Sequence, residues 1–142
     1  MQDAADPLVM IVGDDSKFIY LIQRYVLQMG YRIAVTYSNP SLLDIVRHEK
    51  PAAILIDIES TQPVGWDVVR MLRADNRTQN IPIVICSWLD DKTRSLEEGA
   101  DAHLRKPVMY SDVFDALAAA GVPLVRVAGS PSQEKGGDRS IS

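Results

Sequence analysis

Apolar and polar residues come in blocks along this chain, and the blocks are of two kinds. Short uninterrupted apolar runs such as Leu8–Val12 have the pattern of strands covered on both faces. Between them lie longer stretches with apolar residues three and four apart, the spacing of one helix face. The pattern predicts strands over 8–12, 32–35, 52–56, 81–86 and 102–104, and helices over 16–29, 40–49, 65–73, 90–98 and 111–120. In the first helix Ile19, Ile22, Val26 and Met29 form the apolar face, and Gly30 is a natural stop. Asn39 is read as the N-cap of the second helix, with Pro51 beyond its end. Ser111 is read as the N-cap of the last helix, with Gly121 as its stop. Pro82 fits only near the start of the fourth strand. The helix over 90–98, DDKTRSLEE, has few apolar positions and is closed by Gly99. Strict alternation of strand and helix implies right-handed crossovers and an α/β doubly wound parallel sheet of five strands with five helices.

Composition narrows the class. A length of 142 residues suits one domain, and 46% hydrophobic residues suffice for its core. The net charge of -4, with no basic cluster, argues against direct contact with nucleic acid. Cys86 is the only cysteine, so no internal disulfide forms; in its apolar strand it reads as a small buried hydrophobe. No apolar run approaches the length of about 18 residues that spans a membrane, and MQDAADP is not a signal peptide. The expectation is a cytoplasmic protein with no membrane partner. Residues 1–7 are expected to be an N-terminal extension and 8–121 the domain. Residues 122–142 are expected to be a tail or truncated linker, largely disordered because they are rich in Gly and Ser.

Chemistry collects at the strand ends. Asp14 and Asp15 follow LVMIVG, Asp57 follows AAILI, Ser87 follows IPIVIC, and Lys106-Pro107 follows DAHLR. In an open parallel sheet these ends share one rim, and ligands bind there. Each residue alone has an ordinary explanation. Asp14 or Asp15 can cap a helix, Asp57 can start an Asx turn, Ser87 can close a strand-end turn, and Lys106 can be a surface lysine. Together they are harder to explain. Two carboxylates about 5 Å apart repel by roughly 3 kcal/mol at an effective dielectric of about 20. A cluster of three raises its own pKa values or recruits a cation. A hard ion such as Mg²⁺ suits oxygen ligands, and no His or Cys cluster points to a structural metal. The set matches Mg²⁺-assisted phosphoryl transfer, with Asp57 as nucleophile and phosphoacceptor and Lys106 and Ser87 on the phosphoryl oxygens.

With these residues in this order, 8–121 resembles a response-regulator receiver domain, the CheY-like module of two-component signalling. Gly65, eight residues after Asp57, and Glu98-Gly99-Ala100-Asp101 before the fifth strand also match. The resemblance implies a flavodoxin-like sheet in the order 2-1-3-4-5. It also implies a Mg²⁺ site made by Asp14, Asp15, Asp57 and the backbone carbonyl of Glu59, and a cis Lys106-Pro107 bond. The donor would be a sensor histidine kinase or a phosphotransfer protein, and the output would pass by contact to a downstream effector protein. Ser87 and residue 103 would form the switch, and the fourth helix, fifth strand and fifth helix the output face. Such a domain is not an enzyme toward other substrates; it catalyses only its own phosphorylation and dephosphorylation.

The chain departs from the pattern in places. His103 stands where the family commonly has Phe or Tyr, and Trp88 where a small residue is preferred; a ring there is expected either to crowd the phosphoryl pocket or to restrict the loop. The loop after Asp57 lacks Met-Pro, and Glu59 adds a negative side chain expected to slow attack by water. Trp88 and His103 motivate a different reading, a pseudo-receiver acting as a phosphorylation-independent interaction module. An aspartyl-phosphate phosphatase of the haloacid dehalogenase type fits less well. Asp57-Ile58-Glu59 follows the third strand rather than the first, Glu replaces the second Asp, and the chain is too short for a substrate cap.

Overall fold

The structure is a computed structural model and describes residues 6–58 and 64–125. Five strands, β1 (Leu8–Val12), β2 (Arg32–Thr36), β3 (Ala53–Asp57), β4 (Ile83–Ser87) and β5 (Ala102–Arg105), alternate with five helices. These are α1 (Ser16–Gln28), α2 (Leu42–Glu49), α3 (Val64–Ala74), α4 (Lys92–Glu98) and α5 (Tyr110–Ala119). The strands are all parallel, in the order β2-β1-β3-β4-β5. This is the doubly wound arrangement the alternation implies. No described helix is long and apolar enough to cross a membrane.

The continuous apolar runs arise because side chains alternate between two buried faces. Val9, Ile11, Leu55, Val84 and Cys86 face the side covered by α1 and α5. Met10, Val12, Ile54, Ile56, Ile83 and Ile85 face the side covered by α2 and α3. Val122 packs on the first cluster, while 126–142 lie outside the described residues.

Element ends differ from the sequence pattern where a local hydrogen bond competes. Asn39 does not cap α2 directly: its side chain accepts the Ser41 N–H at 2.8 Å, making a turn, and the helix starts at Leu42. α5 starts before Ser111, because the Asp112 carboxylate reaches back to the Met109 N–H at 2.9 Å. β4 begins at Ile83, after Pro82, and extends to Ser87. α4 begins after Asp90 and Asp91. In α1 it is Phe18, with Ile22 and Val26, that is buried, and Ile19 only partly so.

Candidate functional site

β1 and β3 are neighbours, with Val12 opposite Ile56, so the turn after β1 lies beside the end of β3. Asp57 is the last residue of β3 and stands opposite Cys86, one residue before Ser87. Ser87 in turn stands opposite Arg105, which precedes Lys106. The sheet register alone therefore brings the four strand ends together on one rim.

Lys106 and Asp57 meet directly. The ammonium Nζ lies 2.5 Å from Asp57 Oδ1, and the two side chains are 2% and 1% exposed. A buried charge requires a partner, and here each supplies the other's. The Lys106 backbone N–H donates to Ser87 O at 2.8 Å, which ties the end of β5 to that of β4, and the Lys106-Pro107 bond is cis. Two aromatic rings flank the ammonium: Phe18 at 4.2 Å and Trp88 at 5.8 Å from Nζ to the ring centroid.

The acid pair divides its work. Asp15 is the N-cap of α1; its carboxylate accepts the N–H groups of Lys17 and Phe18 at 3.1 and 3.4 Å. Asp14 is exposed at the rim. Among the described residues no three of His, Cys, Asp and Glu stand together as a metal cluster. The donors nevertheless suit Mg²⁺ in kind: they are hard carboxylate oxygens on two adjacent strand ends. Glu59 lies outside the described residues.

Ser87 is 2% exposed, and its Oγ accepts the Leu89 N–H at 3.1 Å. That bond uses a lone pair and leaves the hydroxyl proton to be donated. His103 Nε2 lies 2.9 Å from Leu89 O and Nδ1 lies 2.6 Å from Ser95 Oγ. A carbonyl only accepts, so Nε2 carries the hydrogen toward Leu89. The imidazole thus links β5 both to the loop after β4 and to α4. Cys86 is fully buried, and burial foremost, with the Asp57 charge adding to it, pushes its thiol up to about 12. It is a packed apolar group, not a nucleophile.

Two site residues escaped the sequence reading. Gly13 packs flat against Asp57: a Cβ placed there would lie 2.9 Å from Asp57 Cβ. An isolated glycine ending an apolar strand was the available signal for close approach. Phe18 gave no such signal, because an aromatic in a helix reads as core.

A family model for the response regulator receiver domain matches residues 9–118. The transcriptional regulatory protein PrrA of Mycobacterium tuberculosis is 31% identical over 117 residues, 80% of this chain and 49% of that protein. The chain thus spans about half the length of that relative. The polar-differentiation response regulator DivK of Brucella ovis is 29% identical over 112 residues, 77% of this chain and 91% of that protein. Among solved structures, the receiver domain of a sensor histidine kinase from Pseudomonas aeruginosa superposes with a TM-score of 0.69 at 20% identity. The match covers 82% of this chain and 99% of that one, which holds a magnesium ion in its active site cleft. With five parallel strands in the 2-1-3-4-5 order and this family match, the chain belongs to the receiver domains of two-component response regulators.

Proposed function

We propose that Asp57 is the phosphoacceptor of a phosphorelay. The observation that carries this is the buried Asp57–Lys106 pair, built from the ends of two strands far apart in sequence. Enclosing a carboxylate and an ammonium together costs desolvation that their attraction only partly offsets, and such buried pairs cluster at functional sites. A sensor histidine kinase or phosphotransfer protein supplies the phosphoryl group, the Asp57 carboxylate attacks the phosphorus, and Lys106 remains beside an anionic oxygen. Asp14, Asp15, Asp57 and the Glu59 backbone carbonyl would hold Mg²⁺, which when bound offsets negative charge on the phosphoryl oxygens. No activity on other substrates is needed: positioning and charge carry the transfer.

Output follows from the bonds around Leu89. If the Ser87 side chain rotates to carry its Oγ to the phosphoryl group, the bond from the Leu89 N–H is given up, and the Leu89 carbonyl is held by His103. A change at Asp57 thereby reaches α4 through His103 and Ser95. Leu96 on α4, Met109 just before α5, and Tyr110 and Phe114 on α5 are exposed and suit contact with a downstream effector protein. The test is incubation with acetyl phosphate and Mg²⁺, followed by intact mass. One added phosphoryl group on the wild type, absent in Asp57→Asn, is expected. An unmodified wild type, or a modified variant, rejects the reading. Asn is preferred to Ala because it keeps a polar oxygen beside the buried ammonium.

A further inference from the structure

We propose that Trp88 is a lid on the Asp57–Lys106 pair, and that a phosphodonor or an attacking water reaches Asp57 when the indole has swung off Lys106. The inference rests on the reading of Asp57 as phosphoacceptor.

The pair is enclosed. Both side chains are at most 2% exposed, yet a phosphorus atom must approach the carboxylate in line. Of the two rings on the ammonium, only one is free to move. Phe18 is 8% exposed and sits in the packed face of α1. Trp88 is 56% exposed, in the segment that follows β4, with its ring over Lys106 Nζ. The loop itself is pinned at the neighbouring residue: the Leu89 N–H is on Ser87 Oγ and its carbonyl on His103. The indole can therefore rotate about its own side-chain bonds without breaking those contacts. Attraction between the ammonium and the ring favours the closed position, and contact with solvent on the other side keeps opening accessible.

The lid acts on both half-reactions. With acetyl phosphate, an Asp57 oxygen attacks the phosphorus, the bond from phosphorus to the acetyl oxygen breaks, and acetate leaves with that electron pair. In hydrolysis a water oxygen takes the phosphorus, Asp57 leaves as the free carboxylate, and the water protons pass to the phosphate product. A lid that is closed most of the time slows both.

The test compares wild type, Trp88→Ala and Trp88→Phe with acetyl phosphate and Mg²⁺, following intact mass during loading and again after donor removal. Because the ring is largely exposed, both variants should keep the wild-type circular dichroism and thermal midpoint. Trp88→Ala should load and lose phosphate roughly fivefold faster, and Trp88→Phe should stay near wild type. Unchanged or slower loading in Trp88→Ala, with the wild type modified, overturns the lid alone. Absence of modification in wild type and both variants overturns the phosphoacceptor reading and the lid with it.

Discussion

Helices α1 and α4 lie on the same sheet but are held to it by different forces. α1 buries Phe18, Ile22 and Val26 among sixteen core residues on its side. Each such side chain contributes about 1.5–3 kcal/mol through apolar area. In α4 the only buried residue is a serine, Ser95, and Leu96 is 45% exposed. α4 is attached instead through directed polar contacts: Ser95 to His103, and Glu98 to Arg70 at 2.9 and 2.7 Å. Apolar contact is non-directional and is lost gradually, whereas a hydrogen bond can be exchanged for another at little net cost. The rigid helix carries Asp15 and Phe18 to the site, and the exchangeable one lies behind the loop that starts at Ser87. On the proposed reading that division has a use, because the site would stay formed while the output face changes its contacts.

The hardest test of the contrast is Ile22→Ala in α1. Ile22 is fully buried, so the variant should lose about 3 kcal/mol of stability in urea unfolding. Cys86 offers a second readout. Its thiol, held near 12, should be inert in the folded protein and labelled only through core opening, so labelling at pH 8 should rise about a hundredfold in Ile22→Ala. The same thiol sets a sign. Its folded pKa is raised, so its contribution to stability is full below the unfolded value near 9 and declines as pH rises toward 12. A labelling rate unchanged by Ile22→Ala would mean that the α1 face is not what closes the core.

Ser95→Ala should behave differently. Loss of its hydroxyl removes one partner of His103 and should cost about 1 kcal/mol. The loss should stay local: α4 amides exchange faster, while Cys86 labelling hardly changes. If Cys86 labelling rises in step with α4 exchange, the two helices open as one unit and the contrast fails.

The same contrast explains what the sequence could disclose. Features that depend on pattern were readable: the apolar run of β1, the stops at Gly30, Gly99 and Gly121, and the strand ends that carry Asp57, Ser87 and Lys106. Features that depend on competition between nearby groups were not. Whether Asn39 caps α2 or a turn before it, and whether α5 starts at Ser111 or is drawn back by Asp112, turns on single hydrogen bonds. Tertiary contacts were out of reach altogether. Nothing in the spacing of α1 says that Phe18 rather than Ile19 faces inward, or that its ring meets Lys106. His103 stood out as an unusual residue, but its bonds to Leu89 and Ser95 follow from the packing of β5 beside α4.

The mildest perturbation is Arg70→Gln, at the open edge where α3 meets α4. The Arg70 guanidinium donates to both oxygens of Glu98 and also to Asp67 at 2.9 Å. Its hydrogen bonding, foremost, holds the Glu98 carboxyl below the usual carboxylate range, with Arg94 at 3.6 Å adding a little. A depressed carboxyl stabilises the fold at pH values above its unfolded pKa, and that contribution is lost as pH falls through the folded one. Arg70 is half exposed and Glu98 partly so, so the pair's global effect should be slight and should fade as salt rises toward 1 M. Its local effect should still be readable. The Glu98 side-chain carbon shift should titrate at higher pH in Arg70→Gln than in wild type, with α4 amide exchange rising only modestly. Coincident midpoints would show that Arg70 does not hold Glu98 in solution. The attachment of α4 would then rest on Ser95 and His103, and Ser95→Ala would be the decisive variant for that helix.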